Sequence, residues 1–238
     1  MSDVSLNISS IIPKEKKHRI DLPDYTLGEE LISSISHGVG AALSIVGTFL
    51  CVSKAIKSGS TLEIISAALF GVMMFLLYTM SCIYHGLARN NAKRVFRVFD
   101  HCTIFLLIAG TYFPIVLVSV GGTIGWIYFS IIVISSIIGI VFNAIDVDKY
   151  EKVSLFCYVF MGWIIVFAFK PLYEAIGKEG IKLLVIGGVI YTVGAIVYQI
   201  GDNKKYFHSI WHFFVLGGTI MHFFAIYLYV LLKNIKYN

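Results

Sequence analysis

The residues best suited to chemistry are three histidines in the apolar stretch from Phe207 to Leu231. His208 and His212 are four residues apart, so on an α-helix they share one face and lie roughly 6 Å apart along the axis. This spacing is typical of paired metal ligands, although buried histidines bonded to neighbouring groups also show it. His222 lies about 21 Å from His208 along the helix, so we expect it to bond to a neighbouring helix.

Composition places the chain among membrane proteins. Of its 238 residues, 58% are hydrophobic and only 14% are charged, with a mean hydropathy of +0.82. Soluble domains carry about 25% charged residues. The net charge of +5 comes from basic residues between apolar runs, where they set topology, so we expect no nucleic-acid partner. The four cysteines stand singly, without a CxxC motif, and indicate reduced packing residues.

The apolar runs predict an all-α fold with seven transmembrane helices, each of about 20 mostly apolar residues. Residues 1–30 form a predicted cytoplasmic tail ending in an interfacial helix, and residues 31–238 form the membrane domain. No short apolar core with a cleavage site follows the tail's charges, so it is not a secretory signal. The predicted spans are Ile32 to Ala55, Leu62 to Leu87, Val98 to Val118, Ile124 to Ile145, Val153 to Leu172, Ile181 to Ile200 and His208 to Leu232.

The distribution of basic residues predicts the orientation. With a cytoplasmic N-terminus, the inner segments hold 12 Lys and Arg residues and the outer segments hold 7. Because basic residues are enriched in cytoplasmic loops, this count favours an inner N-terminus and an outer C-terminus in the cell membrane.

Because successive spans alternate in direction, four polar groups lie at the same depth in the membrane. His85 ends the second span, which runs inward, and Asp100 begins the third, which runs outward. His208 and His212 begin the seventh span, which also runs outward, so all four groups lie near the cytoplasmic face. Three imidazoles and one carboxylate match the composition of a catalytic zinc site with an open position for water.

Three further residues fall in the same region. Ser81 stands one turn deeper than His85 on the same helix face, where it can bond either into the site or to its own helix's carbonyls. His37 shares the inner leaflet and can approach the site. His101 points about 100° away from Asp100, so we interpret it as an interfacial residue.

These motifs together resemble those of the haemolysin III family, which is related to the adiponectin and progestin receptors. The resemblance rests on Ser81-Cys-Ile-Tyr-His85, on Phe99-Asp100 and on His208-Ser-Ile-Trp-His212 followed by His222. It covers nearly all of the chain from Glu29 to Leu232. The resemblance implies seven spans, a cytoplasmic N-terminus and a zinc ion held by His85, His208 and His212. It also implies that Asp100 and Ser81 lie around the metal as catalytic groups.

Three classes of function fit these residues. A zinc ion activates water for attack on a carbonyl, with Asp100 handling the proton, and the carbonyls accessible inside a bilayer belong to lipids. The first class is therefore a hydrolase of lipid amides or esters, and the resemblance implies a ceramide-like substrate. The second is a sensor of lipids or membrane state with a structural zinc. The third, suggested by the family name, is a cytolytic pore. The sequence leaves the oligomeric state open.

Overall fold

A computed structural model describes residues 20–201 and 204–231, in which helices dominate and no strand occurs. Residues 1–19 of the predicted tail lie outside these residues, and the described end of the tail shows no separate interfacial helix. Residues 20–26 are extended and lead into the first helix. The helices are α1 (Leu27–Ser58), α2 (Thr61–Gly86), α3 (Asn91–Tyr112), α4 (Gly122–Ile145), α5 (Val147–Trp163), α6 (Phe169–Ile200) and α7 (Phe207–Ala225).

Six helical stretches within the described residues are long and apolar enough to cross a membrane, and one of them, Val147–Ile200, has 54 residues. At 1.5 Å per residue it would measure about 80 Å, far more than the hydrocarbon core of about 30 Å. Its backbone breaks at Gly177, where φ is +68°. Glycine enters this region of backbone space without the steric cost that a Cβ imposes.

Two contacts show that this stretch folds back on itself at the break. Tyr198 donates a short hydrogen bond to Glu151, and Trp163 Nε1 donates to Thr192 Oγ1 over 2.9 Å. Trp163 is closer to the break than Glu151, and its partner Thr192 is also closer to the break than Tyr198. This is the pattern of two antiparallel helices. The stretch is therefore two spans, and the prediction of a seven-span, all-α membrane protein is confirmed.

Two helices begin earlier than predicted, because acidic and capping residues extend them. At α1, Thr26 and Glu29 form a reciprocal capping box, so the helix starts at Leu27 and not near Ile32. At α3, the Asn90 side chain accepts a hydrogen bond from the Lys93 amide, so the helix starts at Asn91 and not near Val98.

Residues 89–97, which lie between the predicted second and third spans, therefore include the first turns of α3. Lys93 and Arg97 are buried within α3. Lys93 pairs with Glu30 at 2.7 Å, and Arg97 forms a short ion pair with Asp148. Pairing offsets the cost of removing these charges from water, which lets two basic residues lie inside a helix bundle.

Small residues bring α1 and α2 into close contact. A Cβ atom added to Gly40 would lie 2.6 Å from the ring of Tyr78, and one added to Gly71 would lie 2.1 Å from Thr48 Oγ1. Membrane helices lack a hydrophobic driving force between one another and associate through such close packing. This packing holds α1 against the helix that carries His85.

Irregular helical turns occur after α3 and between α5 and α6. After Tyr112, α3 continues as a π-helix over Phe113–Val120, with Pro114 in its first turn. A short 3₁₀ segment, Ile164–Ala168, separates α5 from α6. Proline lacks the N–H that an α-helix needs at this point, and π and 3₁₀ turns are the usual accommodations in a membrane helix.

Candidate metal centre

The last turn of α2 and the first two turns of α7 bring three histidines together. The Nε2 atom of His208 lies 3.3 Å from Nε2 of His85 and 3.2 Å from Nε2 of His212. One ligand atom from each residue lies within 4.8 Å of the others, and His85 and His212 are buried. The structure therefore assembles the three residues that the sequence predicts as ligands.

The spacing of these nitrogens fits a metal ion. Histidine nitrogens bind zinc at about 2.0–2.1 Å, and a tetrahedral angle between two such bonds gives a nitrogen separation of about 3.3 Å. Hydrogen bonding alone is a poor account of the cluster, because His208 Nε2 faces two other ring nitrogens and a neutral ring nitrogen either donates one hydrogen bond or accepts one. The cluster could hold a metal, and its donors do not by themselves identify which one.

The orientation of His85 is fixed by an acidic residue of α1. His85 Nδ1 lies 2.7 Å from Glu30 Oε2, so the ring donates its Nδ1 proton to the carboxylate and leaves Nε2 with a free lone pair. Metal-binding histidines commonly have such a partner. Glu30 lies at the end of the predicted tail, where no local sequence signal indicates this role.

The neighbouring residue, Glu29, joins the start of α1 to the start of α7. Its Oε1 accepts a hydrogen bond from the Tyr206 amide over 2.6 Å, and its carbonyl accepts one from the Ser209 hydroxyl over 3.1 Å. Tyr206 has a positive φ of 66°, a strained conformation for a residue with a Cβ. These contacts set the position at which α7 begins and hence the position of His208.

Asp100 and Ser81 line a small cavity beside the histidines. The cavity has a volume of about 30 Å³ and is also lined by His37, His208 and His212. This is room for about two water molecules. Ser81 is fully buried and lies near the Asp100 carboxylate, yet its hydroxyl makes no hydrogen bond of ordinary length within the described part of the chain. The structure thus places both predicted catalytic residues next to the three histidines.

The other three histidines of the described membrane helices have different surroundings. The ring of His37 lies 3.9 Å from that of His212, so it does reach the site, and neither of its buried nitrogens has a hydrogen-bond partner among the described residues. His101, which the sequence predicts as an interfacial residue, also lines the small cavity. His222 Nε2 lies 3.1 Å from the Leu184 carbonyl of α6, as predicted.

The extended segment 20–26 covers the site at this end of the bundle. Tyr25 stacks on His208 with 4.7 Å between the ring centroids, and Leu22 is buried. Burial raises the pKa of the Tyr25 phenol well above its usual value, so the hydroxyl stays protonated. Arginine side chains bind the backbone carbonyls of the segment: Arg89 those of Leu22 and Pro23, Arg94 that of Ile20 and Arg97 that of Asp21.

A second, larger cavity adjoins the first. It has a volume of about 140 Å³, and most of the side chains that line it are apolar and belong to α3, α5 and α6. Val166, Phe169 and Val185 line it and are also exposed on the outer surface of the bundle. The larger cavity therefore reaches the surface that faces lipid. The two cavities share five lining residues: Leu77, Ile104, Tyr158, Trp211 and Val215.

The fold and the histidine cluster define a multi-pass membrane protein with a candidate metal site inside its helix bundle. The chain belongs to the haemolysin III family, because the family model described as "Haemolysin-III related" matches residues 25–223. The match includes every residue of the cluster, together with Glu30 and Asp100.

Individual relatives agree with this assignment. The chain is 41% identical over 203 residues to "Hemolysin-3" of Bacillus cereus, covering 85% of this chain and 92% of the relative. It is 38% identical over 205 residues to the "Hemolysin-3 homolog" of Bacillus subtilis (strain 168), covering 86% and 96%. It is also 25% identical over 176 residues to the human "Monocyte to macrophage differentiation factor", covering 71% of each chain. This human relative confirms the predicted link to the adiponectin and progestin receptor family.

Proposed function

We propose that this protein is a zinc-dependent hydrolase that cleaves an amide or ester bond of a membrane lipid, with a ceramide-like lipid as the leading substrate class. The observation that carries the proposal is that the two cavities are neighbours with five lining residues in common. The small cavity, lined by Asp100, Ser81, His208 and His212, adjoins an apolar cavity that reaches the lipid-facing surface. This arrangement suits a substrate with one reactive polar bond and a long hydrocarbon chain.

The donor set supports zinc as the metal. Three convergent imidazoles, with the Nε2 atoms of two pairs 3.2 and 3.3 Å apart, are typical of zinc sites, whereas magnesium and calcium prefer oxygen donors. His85, His208 and His212 would hold the ion. When bound, zinc supplies a Lewis acid and lowers the pKa of a water molecule to about 7.

The neighbouring side chains would carry the rest of the reaction. The Asp100 carboxylate takes a proton from the attacking water and returns it to the departing nitrogen or oxygen as the bond to the carbonyl carbon breaks. Ser81, whose hydroxyl makes no hydrogen bond of ordinary length to the described residues, is available to donate one to the substrate carbonyl. The apolar cavity binds the hydrocarbon chain and keeps it close to the reacting bond.

Mass spectrometry of lipids tests this proposal. Membranes are incubated with purified wild-type protein or with Asp100→Asn, and the expected result is a matched pair of consumed lipid and released product with wild type alone. The amide of the variant cannot accept a proton at neutral pH, so turnover should fall by about 10² to 10⁴-fold while zinc content stays the same.

Asp146→Asn is the matched control. Asp146 accepts a hydrogen bond at the start of α5 and does not line either cavity. The Asp146→Asn variant should therefore hydrolyse lipid at the wild-type rate. Turnover at the wild-type rate in Asp100→Asn would remove Asp100 from the mechanism, and no lipid product with wild type would contradict the hydrolase proposal.

A cytolytic function is the second candidate, and it rests on the name "Hemolysin-3" of the Bacillus cereus relative. A pore through a single chain needs a polar lumen, but the larger cavity in the described residues is lined mostly by apolar side chains. Lysis would therefore require an assembly of several chains. Release of a trapped dye from liposomes that contain the purified protein would support this candidate.

A further inference from the structure

The histidine cluster has a carboxylate partner, Glu30, whose two oxygens each make a close contact. One carboxylate oxygen lies 2.7 Å from His85 Nδ1, and the other lies 2.7 Å from Lys93 Nζ. Lys93 also donates hydrogen bonds to the carbonyls of Tyr84 and Leu87, each over 3.0 Å. Glu30 thus links three helices: its own α1, the end of α2 and the start of α3.

We propose that Glu30 is a positioning residue for the metal, which fixes the tautomer and the orientation of His85, and that Lys93 holds Glu30 in place. The inference rests on the proposed metal site and adds to it the residues that hold the His85 ring in place. Glu30 does not touch the metal position. It acts through the imidazole, which donates from Nδ1 and therefore presents the lone pair of Nε2 to the other two histidines.

The arrangement explains how a histidine at the end of a helix becomes a fixed ligand. His85 occupies the last turn of α2, where helix ends commonly fray. Lys93 binds carbonyls of that last turn and the following residue, and also binds Glu30. These bonds keep the Glu30 carboxylate from rotating away from His85, and they keep the last turn of α2 from fraying. A fixed carboxylate also makes the ring a stronger donor to a metal.

The cluster is asymmetric in this respect. Within the described residues, no carboxylate contacts the Nδ1 atom of His208 or of His212, and neither of these buried atoms makes a hydrogen bond of ordinary length. These two ligands are instead held by their common helix, one turn apart. His85 comes from a different helix, so it is the ligand that needs a separate support.

The test measures zinc and cobalt binding by the full-length protein in detergent. Zinc affinity is measured by competition with a coloured chelator, and the ligand geometry is followed by the visible absorption of bound Co²⁺. Outer partners of metal-binding histidines contribute about 10 to 100-fold in affinity. Glu30→Leu should therefore bind zinc about 10 to 100-fold more weakly. Glu30→Gln keeps an oxygen acceptor for the Nδ1 proton, so its loss should lie near tenfold.

Asp148→Asn is the matched control, because Asp148 also pairs with a buried cation, Arg97, but does not contact a histidine. Both Glu30→Gln and Asp148→Asn should lower the melting temperature, since each leaves a buried cation without its partner. Only the Glu30 variant should weaken zinc binding and shift the Co²⁺ absorption. If Glu30→Leu does not fold, Glu30→Gln decides the question.

Zinc affinity of folded Glu30→Gln within twofold of wild type, with an unchanged Co²⁺ spectrum, would overturn the inference and leave the metal site intact. An equal loss of affinity in Asp148→Asn would overturn it too, because the effect would then reflect general loosening. If wild type binds no zinc, the proposed function fails with it. The two failures are therefore distinguishable.

Discussion

The two halves of the bundle differ in how they are held together. At the histidine end, formed by residues 20–30 and the adjoining ends of α2, α3 and α7, ion pairs and hydrogen bonds join segments far apart in sequence. Around the larger cavity, α3, α5 and α6 meet mainly through apolar side chains and contain π and 3₁₀ turns. The first half fixes its residues by directional contacts, and the second packs mainly by non-directional ones.

This difference has a physical basis. Bonds to a metal and proton transfers depend on distances of a few tenths of an ångström, so their residues need several fixed partners. Hydrocarbon chains are recognised by non-directional contact, which tolerates irregular walls. The bundle therefore concentrates its polar interactions where geometry matters and leaves the other half apolar.

Replacing one histidine in each half should give the largest difference, measured in zinc content. His212→Ala deletes a proposed ligand and should release most of the zinc, a larger loss than the 10 to 100-fold that outer partners contribute. His222→Ala deletes a histidine of the larger cavity and should keep about one zinc per chain. Elemental analysis of the purified proteins measures both. Equal zinc content in the two variants would show that the histidine end is not the metal site.

Adding one methyl group at the α1–α2 contact and one beside the larger cavity should give the next largest difference, measured in stability. Gly40→Ala forces a Cβ to within 2.6 Å of Tyr78, whose hydroxyl is held by Thr219 over 2.7 Å. Overpacking of this kind costs about 1–3 kcal/mol. Gly162→Ala, beside the larger cavity, meets no atom within 4 Å and should change stability by less than about 0.5 kcal/mol.

Thermal unfolding in detergent separates these two glycine variants. Because the close contact is with a side chain that is itself fixed by a hydrogen bond, relief by a small rotation of Tyr78 is not available. Similar melting temperatures for Gly40→Ala and Gly162→Ala would contradict the view that the α1–α2 contact is packed more closely than the region beside the larger cavity.

The smallest expected effect concerns Tyr25, which covers the histidines. A stacked aromatic pair contributes about 0.5–1.5 kcal/mol, so loss of the ring in Tyr25→Ala should speed release of zinc to a chelator by about 2 to 10-fold. Tyr25→Phe keeps the stacking surface and is the control. Stopped-flow mixing with a chelator measures both rates. Equal rates in Tyr25→Ala and wild type would mean that zinc leaves by another route.

Local periodicity was sufficient to predict much of the site. His208 and His212 share a face through their four-residue spacing, and the parity of the spans puts His85 and Asp100 at the same depth. These inferences need only helix geometry and a count of apolar runs. They predict the set of helices and the common depth of these four residues, whereas the ligand set and the role of Ser81 come from the resemblance to the haemolysin III family.

Other features depend on contacts between distant parts of the chain. Glu30 was interpreted as part of a polar tail because nothing near it in sequence shows that His85 and Lys93 are its partners. The basic residues of α3 were interpreted as a loop for the same reason, since their burial depends on Glu30 and Asp148. A local pattern of charge cannot distinguish a solvated residue from one neutralised by a remote partner.

The separation of the three histidines along the chain also bears on how the protein is made. His85 and His208 lie 123 residues apart, and α7 is the last of the helices in the described residues. During synthesis the chain emerges from its N-terminus, so most of the bundle enters the membrane before two of the three imidazoles exist. A three-histidine site therefore cannot form on a nascent or truncated chain. Its formation would mark the arrival of the final helix and the completion of assembly.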